Sequence, residues 1–195
     1  MQNNLSRAEQ QMQLVWPSEC YLPGYVSALE RGWSPNNLRP ETGREELAAI
    51  AKDAARFLEE LVDRDAKGPP YPMPDGTLVP RLPGYRRWMW DGEFCGSIGL
   101  RWQRGNNALP PYCLGHIGYA VVPWKRGKGY ATLALKELLL AAPADGLSYV
   151  EVTADPSNFA SQRVILANGG VLVEKFVTSK QYGGTEELRF RIELK

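Results

Sequence analysis

One stretch near the middle of the chain constrains the fold more than any other. Residues 115–122 form a predicted strand, the glycine-containing turn 126–131 follows, a helix is predicted from residue 131 to residue 142, and residues 148–153 are rich in β-branched side chains. A strand–helix–strand unit of this kind sets its two strands in parallel with a right-handed connection. The pattern therefore predicts an α/β fold that is built around one crossover.

Two hairpins are predicted outside this crossover. Residues 85–90 and 94–102 flank an Asp-Gly pair, and residues 171–177 and 187–194 flank a Gly-Gly pair, both of which are turn sequences. Hairpin strands are antiparallel, so the complete sheet must be mixed and mainly antiparallel. We predict a single domain over residues 12–195.

The N-terminal third contributes its own elements. Residues 1–11 are predicted to be a flexible polar lead, residues 12–17 a first strand, and a short helix begins at Pro23. A longer amphipathic helix is predicted over residues 42–66, opened by a capping box between Thr42 and Glu45. Residues 68–84 contain six prolines and are predicted to be an irregular loop.

The composition argues against several classes of partner. Lys plus Arg number 23 and Asp plus Glu number 22, which lacks the basic excess typical of nucleic-acid binding. No apolar run approaches the length of a bilayer span, so no membrane partner is expected. Three cysteines without CxxC spacing and one histidine argue against a metal site. We therefore expect a cytoplasmic protein with no metal.

The turn at 126–131 points to an anionic ligand. Gly127 and Gly129 allow close approach of an anion to the backbone, and the following helix adds positive potential at its start. Lys125, Arg126 and Lys128 add charge. The spacing differs from a P-loop, and Thr132 replaces the third glycine of a dinucleotide fingerprint. The turn by itself leaves open which phosphate compound binds.

The turn and the residues around it are similar to a known sequence motif. The run from Val121 to Ala131, ahead of a helix, resembles the R/Q-x-x-G-x-G/A motif of the GNAT acetyltransferase superfamily. The segments 96–101, 149–153 and 158–161 and the pair Gly169-Gly170 are similar to other parts of that family's pattern. The resemblance is good over residues 84–178. It implies a splayed parallel central strand pair with flanking helices, and transfer of an acetyl group from acetyl-CoA to a primary amine within a ternary complex.

The resemblance also implies a set of cofactor contacts. The pantetheine arm is expected to bond to the backbone of the strand, the pyrophosphate to lie on the turn, and the next helix to begin beside them. The residues expected to bind acetyl-CoA are Val121, Val122, Arg126, Gly127, Lys128, Gly129, Tyr130, Ala131, Asn158 and Ser161. For Asn158, a simple helix N-cap is the competing interpretation.

The candidate general base is His116, ten residues before Arg126, near the position where some family branches carry a catalytic glutamate. An imidazole with a pKa near 6.5 suits deprotonation of an amine at neutral pH. A core histidine bonded to backbone is the competing interpretation. Glu151, on the adjoining strand, is the second candidate base, and Glu93 beside the hairpin turn is a third.

The candidate acid departs from the family pattern. Many members carry a tyrosine seven residues after the asparagine that corresponds to Asn158, and this tyrosine protonates the departing sulfur. This chain has Ile165 at that position. Tyr130 or Tyr182 could supply the proton from elsewhere, or the thiolate could leave unaided. A catalytically silent CoA-binding module therefore stands as the alternative function. The acceptor is a small-molecule or peptide amine of unknown identity, and a homodimer is left open.

Overall fold

A computed structural model describes residues 12–73 and 75–195, so the predicted lead over residues 1–11 lies outside the described residues. In chain order, the strands are β1 (Gln13–Val15), β2 (Val62–Asp63), β3 (Tyr71–Pro72), β4 (Leu78–Val79), β5 (Gly84–Trp90), β6 (Phe94–Arg101), β7 (Ile117–Val121), β8 (Tyr149–Ala154), β9 (Val171–Val177) and β10 (Glu186–Glu193). The α-helices are α1 (Leu22–Glu30), α2 (Thr42–Lys52), α3 (Ala54–Glu60), α4 (Tyr130–Ala141) and α5 (Phe159–Ala167).

The first sheet has the order β1-β5-β6-β7, with β2 paired to β5. The predicted hairpin is present, and β5 and β6 pair antiparallel across the Asp91-Gly92 turn. Strand β7 then pairs antiparallel with β6. At Gly96 a Cβ atom would lie only 2.3 Å from the carbonyl oxygen of Ala120, so this close pairing of β6 and β7 requires glycine.

The second sheet has the order β8-β10-β9 and contains the predicted C-terminal hairpin. The two sheets meet where the backbone N–H of His116 donates to the carbonyl oxygen of Glu151 at 2.7 Å. Beyond that point, β7 and β8 share no ladder within the described residues. The predicted mixed fold with a splayed central strand pair is confirmed, and a gap lies between β7 and β8.

Apolar side chains cover both faces of the first sheet. On one face, Leu135 and Leu138 of α4 pack with Ile98 and Leu100 of β6. On the other face, α1 and α3 cover Trp88, whose ring stacks on that of Tyr25 with centroids 4.6 Å apart. This second face also buries Ala120 and Val122 of β7. No helix of the described part is long and apolar enough to cross a membrane.

The predicted helix over residues 42–66 is wrong in three respects. The helical segment ends at Glu60, and Val62–Asp63 form β2 instead. The helical segment is also interrupted at Asp53, whose extended backbone ends α2 and whose side chain accepts a hydrogen bond from the backbone of Arg56 to start α3. The capping box does not form, because the N-cap is Glu41 and Thr42 is already helical. Glu45 bonds instead to the guanidinium of Arg39 at 2.6 Å. An ion pair between residues six positions apart thus replaces the cap.

Candidate active site

The turn before α4 presents an open backbone surface. Gly127 and Gly129 have φ angles of +77° and +78°, a conformation that L side chains rarely adopt. No other atom lies within 4 Å of the position a Cβ would take at either glycine. The N–H groups of residues 127–131 donate no hydrogen bond to any other described residue. These free donors at a helix start can surround an anion.

The cations around this turn are not all arranged as predicted, since only two of the three predicted ones border it. Lys125 does not face an anion site, because its ammonium is paired with Asp91 and Glu93, both at 2.9 Å. Glu93, the third candidate base, is held in this ion pair. Arg126 is exposed, and its Nε donates to the carbonyl oxygen of Val121 at 3.2 Å. Lys128 is exposed as well, so these two cations border the turn.

A polar cluster fixes the turn to the β5–β6 hairpin. The hydroxyl of Tyr130 donates to Asp91 at 2.6 Å, and Lys125 donates to both carboxylate oxygens of Asp91. Burial acts to raise the pKa of Asp91, but the hydrogen bonds from Tyr130 and Lys125 lower this pKa to about 2. The hydrogen bond to Asp91 raises the pKa of Tyr130 to about 12. Tyr130 therefore positions the turn, and its hydroxyl is already engaged.

The amide groups of β7 alternate in direction. The N–H of Val122 donates to the carbonyl oxygen of Cys95 on the β6 side, and the carbonyl of His116 accepts from Arg101. In an antiparallel pair every second residue makes these bonds, so the amides of Tyr119 and Val121 point away from β6, into the gap. Of the two residues expected to contact pantetheine, Val121 has its amide on the open side.

Tyr119 links β7 to α5, and it was not among the residues that the sequence predicted for the site. Its hydroxyl lies 2.8 Å from the Oγ of Ser161 in the first turn of α5. Burial raises the pKa of Tyr119 to about 12, while the hydrogen bond with Ser161 acts to lower it. Asn158 is the N-cap of α5, because its side chain accepts from the N–H of Ser161 at 3.0 Å. Since side chains alternate along a strand, Tyr119 shares a face with Val121, which could have drawn attention to it.

His116 lies in the interior, with no exposed surface. Its Nδ1 accepts a hydrogen bond from the N–H of Glu151 at 2.9 Å, and its Nε2 has no partner among the described residues. Burial lowers the pKa of His116 from 6.5 to about 4. The imidazole is therefore neutral at pH 7, and its basic nitrogen is already occupied. These surroundings match the core interpretation of His116 better than the base.

Glu151, the second candidate base, is engaged in ion pairs. Its carboxylate accepts from Arg191 at 2.7 Å and lies 3.8 Å from Arg189. The alternative acid Tyr182 is engaged as well, and Ile165 stands at the position where the family pattern has a tyrosine. Tyr182 donates to the carbonyl oxygen of Tyr112 at 2.6 Å, and Ile165 is fully buried in the core.

A cavity of about 570 Å³ lies on the face of the first sheet that carries α2 and α3. Its walls come from the segment 35–39, the Pro-rich loop 69–72 and 79–82, and residues of β5, β6 and β7. Tyr119 lines this cavity, where its carbonyl oxygen accepts from Asn37 at 3.4 Å, while its side chain packs on the α4 face of the sheet and bonds to Ser161. Neither His116 nor Glu151 lines it. The cavity and the gap beside the turn thus meet at Tyr119.

Comparison with known proteins supports the fold and the class. A family model described as an acetyltransferase (GNAT) domain matches residues 76–171. Together with the fold, this match identifies the segment 76–171 as a GNAT acetyltransferase domain. No curated protein matches the sequence.

Several solved structures share the fold at low sequence identity. A GNAT-family acetyltransferase from Streptococcus pneumoniae is 12% identical with a TM-score of 0.64, over 95% of this chain and 100% of that chain. The microcin C7 self-immunity acetyltransferase MccE, in complex with acetyl-CoA and AMP, is 13% identical with a TM-score of 0.63, over 94% of this chain and 93% of that one. The ribosomal L7/L12 alpha-N-protein acetyltransferase RimL, in complex with coenzyme A, is 14% identical with a TM-score of 0.59, over 94% of both chains.

Proposed function

We propose that this protein transfers an acetyl group from acetyl-CoA to a primary amine by direct transfer in a ternary complex. The observation that carries the proposal is the row of free N–H groups at residues 127–131 beside the gap between β7 and β8. MccE and RimL, which have the same fold, were solved with acetyl-CoA and coenzyme A respectively. The alternative of a silent CoA-binding module rests on the same turn, so only a measurement of acetyl transfer distinguishes the enzyme from the silent module.

The residues present fit such a ligand. The pyrophosphate would lie on the N–H groups of Gly127 to Ala131, with Arg126 and Lys128 at its border, because free main-chain donors and a helix start favour an anion. The pantetheine arm would bond to Val121 in the gap, opposite Ser161. Asn158 would act by shaping the first turn of α5, since its side chain already caps that helix.

Acetyl-CoA would supply an activated thioester carbonyl at this place. The amides of Tyr119 and Val121 point into the gap, and a main-chain N–H there can stabilise negative charge on a carbonyl oxygen. The hydroxyl of Tyr119 holds a proton at neutral pH, because its pKa is about 12. We propose that Tyr119 donates this proton to the departing sulfur, in the role that Ile165 cannot take.

The acceptor amine must also lose a proton, because a free alkylamine has a pKa of about 10. His116 and Glu151 both lie outside the cavity, and each is already bonded. We therefore propose that water in the cavity takes the amine proton. The catalytic efficiency should then rise with pH as more of the acceptor becomes neutral.

The test combines a binding and a turnover measurement on the same preparation. Calorimetry measures the affinity for acetyl-CoA and for ATP, and mass spectrometry follows acetylated product over a panel of small-molecule and peptide amines. We expect submillimolar binding of acetyl-CoA, weaker binding of ATP, and product from at least one amine. Tight binding without product on the whole panel would establish the silent module instead. Preference for ATP would overturn the assignment of the turn.

The acceptor and the location of the protein belong to the same proposal. The cavity of about 570 Å³ would admit a small molecule or the end of a peptide chain. We propose a cytoplasmic location, which is supported by the fact that Cys20, Cys95 and Cys113 are free thiols.

A further inference from the structure

The charged side chains that line the cavity are paired in all but one case. Three of the four lining arginines are engaged with carboxylates. Arg39 bonds to Glu45 at 2.6 Å, and Arg86 bonds to Glu46 at 3.0 Å. Arg81 lies 3.8 Å from Asp63 and donates to main-chain carbonyl groups as well. The charges of these three guanidinium groups are therefore already balanced within the cavity wall.

The fourth arginine is Arg101, at the end of β6. Within residues 12–73 and 75–195, its guanidinium makes no hydrogen bond and no ion pair. The one lining carboxylate without a cavity partner, Glu60, is bonded to Arg56 on α3. Arg101 therefore leaves the cavity with one uncompensated positive charge.

The position of Arg101 is set by its neighbour on β7. A Cβ atom on Gly118 would lie 2.9 Å from the Nη2 of Arg101, so the absence of a side chain there makes room for the guanidinium over the strand. Gly118 directly precedes Tyr119, and consecutive Cα atoms are about 3.8 Å apart. The free charge thus lies beside the point where the cavity reaches the gap.

We propose that Arg101 binds the anionic group of the acceptor, which is a small amine that also carries a carboxylate or a phosphate. The inference rests on the proposed acetyl transfer and names the substrate class of the same cavity. A planar guanidinium with free donors is suited to bidentate binding of either anion. The amine of such an acceptor would lie towards Tyr119 while its anion remains on Arg101.

The test compares matched acceptor pairs. 4-Aminobutyrate is paired with butylamine, and phosphoethanolamine is paired with ethanolamine, so that carboxylate and phosphate are separated. The wild-type protein should prefer the anionic member of at least one pair by kcat/KM. In Arg101→Ala this preference should fall about three- to ten-fold, since Arg101 is exposed and water weakens the attraction of its charge. Arg101→Lys should retain part of it.

Two further variants guard against indirect effects. Gly118→Ala should reduce the same preference, because the added methyl displaces the flexible guanidinium and Gly118 has an ordinary backbone conformation. Arg104→Gln is the matched charge control, since Arg104 pairs with Asp65 outside the cavity and its loss should leave the preference unchanged. A preference that survives in Arg101→Ala, or a wild type that favours the neutral amines in both pairs, overturns the proposal.

A binding experiment tests the anion site independently of acetyl transfer. Calorimetry on the CoA-loaded protein compares 4-acetamidobutyrate with N-butylacetamide, which need no turnover. If the anionic compound binds more tightly to the wild type than to Arg101→Ala, the anion site stands even where no amine is acetylated. If both proteins bind the two compounds alike, the anion site is excluded whether or not the enzyme turns over.

Discussion

The turn at residues 126–131 and the cavity on the α2–α3 face use different parts of the chain to bind their ligands. The turn presents main-chain N–H groups from one continuous segment, and two glycines set their direction. The cavity presents side chains from segments that are far apart in sequence. A ligand site made of backbone depends on local conformation, whereas one made of side chains depends on the whole fold.

This difference predicts how each region responds to substitution. At the turn, changes of backbone conformation should matter most, and removal of a side chain should matter little. At the cavity and the gap, single polar groups should carry distinct effects on turnover, pH dependence or stability.

The largest effect is expected from Gly129→Val. A φ of +78° is strained for valine, so the turn should change its conformation and its N–H groups should no longer point at one ligand. We expect acetyl-CoA affinity to fall by roughly 100-fold or more, measured by calorimetry. Gly146→Val is the matched control, because Gly146 has a φ of +83° and equally open surroundings but lies after α4. Equal loss of affinity in both variants would attribute the effect to general destabilisation.

His116→Gln should alter the pH dependence of stability. Because the pKa of His116 is lowered to about 4 in the folded protein from an ordinary 6.5, unfolding binds a proton between these values. Its contribution to stability is complete above pH 6.5 and is lost as the pH falls towards 4. The loss should total about 3 kcal/mol, since each pKa unit is worth about 1.4 kcal/mol.

The measurement is chemical denaturation at several pH values between neutral and mildly acidic, with the wild type and the variant compared at each. Glutamine can still accept from the N–H of Glu151, but it does not titrate. We expect the variant to lose this component of the pH dependence while turnover at neutral pH stays within a few-fold. A severe loss of turnover in the variant, roughly 100-fold or more, together with loss of an acidic limb, would restore His116 as the base.

Tyr119→Phe should reduce kcat by roughly 10- to 100-fold with little change in acetyl-CoA affinity, because only the proton on the hydroxyl is removed. An acetyl thioester with a more acidic thiol should be affected less, since such a sulfur needs no proton to leave. Tyr149→Phe serves as the control, because Tyr149 lies on β8 outside the cavity. Unchanged turnover in Tyr119→Phe would indicate that the thiolate leaves unaided.

The smallest effect is expected from Arg126→Ala. Its exposed guanidinium borders the turn and bonds to Val121, but exposed charges contribute little in water. We expect acetyl-CoA affinity to fall by about two- to five-fold, with a larger difference at low salt. A loss as great as that in Gly129→Val would mean that side-chain charge, rather than backbone, holds the pyrophosphate.

The same contrast explains what the sequence could predict. The Asp91-Gly92 hairpin, the turn at 126–131 and α4 follow from local glycine and strand patterns, and each is present at nearly the predicted bounds. The capping box at Thr42 failed because the helix begins after Glu41 and Arg39 bonds to Glu45. Arg39 is itself positioned by a hydrogen bond to the carbonyl oxygen of Pro72, which depends on tertiary structure. The residue contacts of the predicted cofactor site stay predictions.

The chemistry beyond the turn was harder to predict. The environment of His116 depends on Glu151, which is 35 positions away. The pairing of Tyr119 with Ser161 joins residues 42 positions apart. Each pair joins residues on two different elements, so no local pattern indicated them. Sequence spacing suggested an imidazole base, and burial argues against it.

Among the described residues, the ladders of the two sheets are linked by one main-chain hydrogen bond, between His116 and Glu151, and this has a consequence for local opening. The two sheets share one apolar core, but the main chain beside the gap has few partners and can open locally at a lower free energy than global unfolding requires. A ligand in the gap that bonds to both sides would couple them and add its own binding free energy to that local opening. Amide hydrogen exchange at Tyr119 and Val121 should therefore slow on addition of coenzyme A, together with that of neighbouring α5. Ligand binding would then strengthen the coupling between the two sheets that their shared apolar core already provides.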